Sequence, residues 1–199
     1  MPVYLRGLHF FTEQGHKRVS SKKLAESVNI KPAQMRKDLS YFGDFGTPGV
    51  GYDTKKLAEQ IRSIIHLNVP RKAALVGCGN LGQALMKYTG FDSFGLKIAA
   101  LFDKDKRKIG RLVQNCKIED IRKISALSKR GIFLAILAVP LCAAQEIADK
   151  LVQAGVQGIL NFAPCQLRVP RNTKVINIDI ALDFARLPYY LPKNIGASE

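Results

Sequence analysis

Little in this sequence could hold a metal, build a disulfide framework or cross a membrane. Its four cysteines, Cys78, Cys116, Cys142 and Cys165, are far apart and show no paired ligand spacing. They read as reduced thiols, mostly buried. No apolar run approaches the ~18 to 20 residues a membrane span needs, and Met1-Pro-Val-Tyr-Leu-Arg6 lacks the layout of a secretory signal. The chain is therefore read as cytoplasmic, with no membrane partner. Internal repeats and low-complexity tracts are absent. Acidic residues are scarce, 16 against 31 Lys and Arg, which leaves a formal net charge of +15 and a pI near 9.9. That imbalance points to a polyanionic partner. The remainder is ordinary: 199 residues with 47% hydrophobic and 24% charged side chains suit one or two domains with a real core.

The basic residues concentrate twice. Lys17, Arg18, Lys22, Lys23, Lys31, Arg36 and Lys37 face only Glu26 within their interval, whereas the 104–130 cluster is diluted by Asp105, Glu119 and Asp120 and reads as a solvated surface. The first cluster falls on a sequence of short helices. Tyr4, Leu5, Leu8 and Phe11 have helical spacing that closes at Gly15. Val19 followed by Ser20 and Ser21 resembles a hydrophobic staple with an N-cap, opening a helix that Asn29 can end in the left-handed conformation. Lys31-Pro32 starts another, with Ala33, Met35, Leu39 and Phe42 as its buried side and Gly43 as its stop.

Two short helices joined by a tight turn form a helix-turn-helix, the second helix reading double-stranded DNA. Gln34, Arg36 and Lys37 have the donor geometry for base edges, while Ser20, Ser21, Lys22, Ser40 and Tyr41 can position phosphates. The glycine-rich 45–52 stretch suits the hairpin of a wing, and Thr47 and Gly49 join the DNA candidates. Asp53 or Thr54 can cap a fourth helix with Leu57, Ile61, Ile64 and Ile65 on one face. Asn68-Val-Pro-Arg71 then interrupts the pattern, so domains are expected over 1–69, 70–179 and 180–199.

The second domain is organised around Ala73-Ala-Leu-Val-Gly-Cys-Gly-Asn-Leu-Gly82, a buried-strand pattern ending in Gly-x-Gly-x-x-Gly before a helix. In a Rossmann dinucleotide site Gly77 makes the turn, Gly79 lets the backbone approach a pyrophosphate, and Gly82 lets the helix pack on the strand. Backbone around Cys78, Asn80 and Leu81 would face the phosphates. Asp103, ending the next strand pattern, supplies the acid for a ribose hydroxyl and favours NAD over NADP; Lys104, Lys106, Arg107 and Lys108 follow at once and pull the other way. A thiol at a helix N-terminus can have a lowered pKa, so Cys78 is either a reactive group or an incidental packing residue. Strand patterns at 132–139, 158–162 and 174–178, with a helix over 143–154 burying Ala144, Ile147, Ala148 and Leu151, extend this to a doubly wound parallel α/β sheet. The apolar stretch 179–191 reads as a helix buried against another subunit, or docked on its own sheet.

Arg36-Lys-Asp-Leu-Ser-Tyr-Phe-Gly43, Gly49-Val-Gly-Tyr52, Val76-Gly-Cys-Gly-Asn-Leu-Gly82 and Gly158-Ile-Leu-Asn-Phe-Ala-Pro164 together resemble the Rex family of redox-sensing transcriptional repressors, over essentially the whole chain. The resemblance implies an N-terminal winged helix-turn-helix domain, a Rossmann domain and a domain-swapped C-terminal helix in a homodimer. It implies binding of palindromic operators upstream of fermentation and respiration genes, with NADH causing release and NAD+ permitting binding. By position it puts Ala138, Val139, Pro140, Phe162, Ala163 and Tyr88 with the cofactor, alongside the 77–82 loop, Asp103 and Lys104. It assigns coupling between ligand and DNA domain to Arg6, Tyr88 and Asp179. The family usually carries a further segment ahead of Tyr4-Leu-Arg6, and often basic residues where Thr47-Pro48 stand here; the first departure implies either weaker DNA binding or a misassigned start, and the second fewer phosphate contacts and lower affinity with the same sequence preference.

Two other readings use the same fingerprint. An NAD-dependent oxidoreductase with an accessory N-terminal domain would need an acid or base beside the nicotinamide, yet His9, His16 and His66 all precede the glycine loop. A CoA-binding module of similar fold would leave the helix-turn-helix unexplained.

Overall fold

The structure, a computed structural model, describes residues 1–47 and 49–191. Pro48, expected in the wing, and residues 192–199 of the expected C-terminal segment lie outside the described residues. The chain divides into two compact units, Met1–Pro70 and Arg71–Glu199.

The first unit contains α1 (Pro2–Glu13), β1 (Arg18–Val19), α2 (Ser21–Ser27), α3 (Pro32–Ser40), β2 (Tyr52–Asp53) and α4 (Thr54–Ile64). Local chemistry sets most of these ends. Ser20 accepts the Lys23 N–H at 3.2 Å and Asp53 accepts that of Lys56 at 2.9 Å, each capping a helix start. Pro32 opens α3, and Asn29 takes a φ of 55° after α2. Tyr4, Leu5, Leu8, Leu24, Met35, Leu39, Leu57 and Ile61 form the core, each large aliphatic contributing roughly 1.5–3 kcal/mol through burial. Ala33 and Phe42, expected on the buried side of α3, are exposed: the helix ends at Ser40, so Phe42 leaves the helical stripe. The wing is small. An isolated bridge joins Thr47 to Gly51, and β2 then pairs antiparallel with β1, a strand the 3.6-residue pattern conceals.

The second unit is a seven-stranded sheet in the order β5-β6-β4-β3-β7-β8-β9. Its strands are β3 (Arg71–Val76), β4 (Leu96–Asp103), β5 (Leu112–Val113), β6 (Cys116–Asp120), β7 (Leu134–Leu137), β8 (Gly158–Asn161) and β9 (Lys174–Asn177). All neighbours are parallel except β5, which pairs antiparallel with β6. That hairpin corrects the reading of 104–130 as a mere surface: Gln114 and Asn115 take φ of 46° and 63°, the turn that two closely spaced strands need. Without β5, the parallel strands run outward in both directions from β3 and β7, which makes the gap between those two strands the topological switch point.

One face of the sheet is sealed by α6 (Leu141–Gln153), whose Ala144, Ile147, Ala148 and Leu151 pack with Val76, Phe102 and Leu137. On the other face α5 (Asn80–Lys87) contributes Met86 against Leu75, Leu101 and Ile136. Over β7, β8 and β9 this second face carries an apolar cavity of about 460 Å³, lined by Leu134, Ile136, Leu160 and Ile176 among others. The closing elements, α7 (Ile180–Ala185) and a 3-10 turn over Leu187–Tyr190, bury no side chain. Docking of the 179–191 segment on its own sheet is therefore not what the structure has. No described helix is long and apolar enough to cross a membrane.

Asn161, completely buried at the end of β8, ties the strand end to the turn beyond it. Its Nδ2 lies 2.9–3.1 Å from the carbonyls of Ala163 and Cys165 and from Asn177 Oδ1, and its Oδ1 accepts the Ala163 N–H at 3.0 Å. Asn161→Ala strands all of these groups, and urea unfolding is expected to show a loss of about 2–4 kcal/mol.

Candidate functional site

The geometry at the end of β3 depends on missing side chains. Gly77 has a φ of +96°, and a Cβ there would lie 2.2 Å from the Ala138 carbonyl oxygen. At Gly82 a Cβ would lie 2.0 Å from the Gly77 carbonyl oxygen, so the first turn of α5 sits directly on the strand end. Gly79, the N-cap of α5, would meet nothing within 4 Å. No side chain caps α5 and its first turn carries no acid. The result is an open helix N-terminus with free N–H groups, a ready anion cradle.

Asp103 closes one side of it. The carboxylate accepts the Cys78 N–H at 2.9 Å and the Lys108 ammonium at 3.2 Å on Oδ2, and the Asp105 N–H at 2.9 Å on Oδ1. Burial pushes its pKa up, but the two N–H groups and Lys108 outweigh burial and hold it below the ordinary range. Lys108 was missed in the sequence as a specific partner; its position five residues after Asp103, in a tight turn, was the available signal. Lys104 is exposed beside the turn.

Cys78 is not a reactive thiol. Its side chain points into the core and donates to the Phe102 carbonyl at 3.6 Å, and burial, then the Asp103 charge, pushes its pKa up to about 11. The backbone of Cys78 belongs to the cradle and its sulfur does not. The cysteines, expected to be mostly buried, are not: only Cys78 is buried, Cys116 and Cys165 are half-buried, and Cys142 is exposed on the first turn of α6.

Hydrogen bonds between strand ends bring the other candidates alongside. Gly77 N–H donates to Phe102 O at 2.9 Å, Ala138 N–H to Val76 O at 2.8 Å and Phe162 N–H to Leu137 O at 2.9 Å. The 77–82 loop, Asp103, Ala138, Val139, Pro140, Phe162 and Ala163 thus share the carboxyl edge of β4, β3, β7 and β8. Ala138, Val139 and Phe162 are half-buried there, Ala163 is buried and Pro140 is exposed. Tyr88 is not brought to this edge. It follows the far end of α5, about 12 Å along the axis from Asn80, is 61% exposed and stacks edge-on against Phe91. Asp179 caps α7 by accepting the Leu182 N–H at 2.9 Å, and Arg6 is exposed on α1.

In the first unit a cavity of about 470 Å³ opens between α2, α3 and the wing, and Ser20, Ser21, Arg36, Ser40, Thr47 and Gly49 all line it. Arg36 Nη1 donates to Ser21 Oγ at 3.3 Å, and the Ser40 hydroxyl donates to the Lys37 carbonyl at 2.9 Å. Gln34, Lys37 and Lys22 are exposed outside it, and Tyr41 is 73% exposed just past the end of α3. All three histidines, His9, His16 and His66, lie in this unit and none at the sheet edge. Among the described residues no group of acids, histidines and cysteines could hold a metal.

Residues 1–40 match the family described as "Putative DNA-binding protein N-terminus", and residues 68–165 the family described as "CoA binding domain". The chain is similar to the redox-sensing transcriptional repressor Rex of Roseiflexus sp. (strain RS-1), 41% identical over 100% of this chain and 90% of that protein. It is 44% identical to Rex of Chloroflexus aggregans (strain MD-66 / DSM 9485), over 97% and 92% of the two chains. Among solved structures it is similar to RSP in complex with beta-NAD+ and operator DNA, with a TM-score of 0.87 and 32% identity over 95% of this chain and 88% of that one. RSP in complex with beta-NADH gives a TM-score of 0.84 at 30% identity, over 95% and 89%.

The Asp103 carboxylate makes a pH-dependent contribution. Its folded pKa is depressed, so the contribution is complete above the ordinary aspartate value near ~3.9 and is lost as pH falls through the lower folded value. Asp103→Asn is expected to cost about 1–3 kcal/mol at neutral pH and to flatten the acid limb of stability, measured by thermal unfolding at a series of pH values.

Proposed function

This chain belongs to the Rex family of redox-sensing transcriptional repressors, and from that premise we propose that it binds palindromic operator DNA through α2, α3 and the wing and leaves it when NADH occupies the glycine-loop site. The observation that carries the reading is the open N-terminus of α5 at the switch point of the sheet, with Asp103 beside it. Those groups fit a dinucleotide: free N–H groups and the helix dipole for a pyrophosphate, and a carboxylate for an adenosine ribose. Gly77, Cys78, Gly79, Asn80, Leu81 and Gly82 hold the phosphates through backbone, and Ala138, Val139, Pro140, Phe162 and Ala163 surround the nicotinamide. Lys104 and Lys108 sit where they can neutralise charge near the ribose.

The nicotinamide ring supplies the signal: it is cationic in NAD+ and neutral in NADH. Ala138, Pro140 and Phe162 offer no counter-charge, and burying an unpaired cation is costly. NADH is therefore the tighter ligand. A sensor needs different affinities for two states rather than chemistry; shifting a population from 1:99 to 99:1 takes ~5.5 kcal/mol of differential binding. On the DNA side Gln34, Arg36 and Lys37 read bases, while Ser20, Ser21, Lys22, Ser40, Tyr41, Thr47 and Gly49 position phosphates. Tyr88, in the cofactor set by resemblance, serves instead with Arg6 and Asp179 in coupling: an arginine that pairs with a partner's carboxylate in one dimer arrangement gives each ligand a state to select. We place the protein in the cytoplasm, with its DNA.

The working form is a homodimer. Ile180, Leu182, Phe184, Leu187, Tyr189 and Tyr190 are all more than half exposed, and an apolar sheet face stands open in the same unit. The 180–191 stretch of one protomer covers its partner. A second reading, CoA binding, is favoured by the family matched over 68–165, since CoA carries the same adenosine pyrophosphate; it gives the basic first unit no role.

Fluorescence anisotropy of a labelled duplex from the protein's own upstream region, at fixed salt, is expected to show specific binding that survives NAD+ and is lost with NADH. Arg6→Ala is expected to bind NADH but to stay on DNA. Equal calorimetric affinities for NADH and NAD+, or displacement of NADH by CoA at comparable concentration, would sink the sensing scheme. Sedimentation should give a dimer that dissociates when residues 180–199 are removed; a monomeric intact chain would refute the swapped segment.

A further inference from the structure

Asp38 is out of place on a helix that faces a polyanion. It lies near the end of α3, one residue beyond Lys37, and a carboxylate there is repelled by phosphates rather than attracted. Two hydrogen bonds account for it. Tyr4, on α1 and 1% exposed, donates its hydroxyl to Asp38 Oδ2 at 2.5 Å, and Gln34, one turn earlier on α3, donates Nε2 to Asp38 Oδ1 at 2.6 Å. Both oxygens of one carboxylate are thus engaged, one by the core and one by an exposed candidate for base reading.

The protonation states leave this relay a single direction. The Tyr4 and Gln34 hydrogen bonds hold the Asp38 carboxyl below the ordinary range, and burial, then the Asp38 contact, raises that of the Tyr4 hydroxyl. At neutral pH the tyrosine is a donor and the aspartate an acceptor only. An amide can be built either way round, but a carboxylate accepts nothing except Nε2. Gln34 therefore turns its nitrogen inward along the helix and keeps its Oε1 and its second N–H for the outside. A free glutamine would give up rotamer freedom to bind; this one is already held.

We infer that Tyr4 and Asp38 are positioning residues that lock the Gln34 amide as one acceptor plus one donor, and so make α3 selective for adenine at one base pair of each half-site. Adenine is the base whose major-groove edge offers N6–H2 as donor and N7 as acceptor, the complement of that pair. The inference rests on α3 being the helix that enters the groove.

The test is selection by the full-length protein from a pool of randomised duplexes, with sequencing of the bound fraction. Five variants are compared: Gln34→Ala, Tyr4→Phe, the two combined, Asp38→Asn and Arg36→Ala. The intact protein should prefer adenine at one position per half-site, by about 5- to 100-fold. Gln34→Ala should abolish that preference. Tyr4→Phe, which removes only the buried hydroxyl, should weaken it severalfold at the same position and nowhere else, and should add nothing in the Gln34→Ala background. Asp38→Asn, half-exposed and therefore little threat to folding, should weaken it likewise, and covers the case in which Tyr4→Phe melts too low to assay. A Tyr4→Phe protein that is folded and keeps the full preference, an effect that persists without Gln34, or an intact protein with no adenine preference would each overturn the relay. If Gln34→Ala and Arg36→Ala both leave the selected sequence unchanged, the assignment of α3 itself fails, and the relay with it.

Discussion

The second unit depends on a contact between backbones that no side chain could share. Gly82 meets the carbonyl of Gly77, and Gly77 meets that of Ala138. Because both are bare, α5 seats its N-terminus on the end of β3 in the gap where the strand order turns, and the strand end of β7 closes against the same turn. The open N–H groups at Gly79 follow from that seating, as does the hydrogen bond from Cys78 N–H to Asp103. The cradle is a consequence of packing, and so is the acid beside it.

The two units solve opposite electrostatic problems. The second collects N–H groups and a partly neutralised carboxylate at the carboxyl edge of its sheet, beside the uncharged side chains of Ala138, Pro140 and Phe162. The first spreads cations over α2 and α3 and keeps the acid of α3, Asp38, bound by Tyr4 and Gln34. Acidic partners elsewhere are spent locally: Asp105 holds Arg107, Asp120 holds Arg122 and Glu119 holds Arg130. These exposed pairs are worth little individually, and each ties up one arginine of the 104–130 surface.

Much of this was legible from local patterns. Helix starts at Ser20, Pro32 and Asp53, the left-handed Asn29 and the buried stripe of α6 all require only near neighbours in sequence, and each is where its pattern puts it. Others were hidden. A two-residue strand at Arg18–Val19 has too few residues to show a period, and the Leu112 to Ile118 hairpin sits among charges that mask its alternation. Phe42 looked buried because its spacing continues a stripe that the helix itself does not continue.

What the sequence by itself determined is the order of the α-helices α1 to α6 and of strands β3, β4, β7, β8 and β9, the glycine turn with its acid, and the family to which these belong, because turns, caps and periods are enforced by backbone sterics over a few residues. Only the tertiary structure decided where side chains point once the elements are packed. It turned the Cys78 sulfur into the core while leaving its N–H at the site, gave Asp103 the partner Lys108, set Tyr88 a helix length away from the loop, left one sheet face uncovered over β7, β8 and β9, and brought Tyr4 across 34 residues to Asp38. These are decided by which neighbours fill the space around each group, and that is a property of the fold rather than of any stretch of chain.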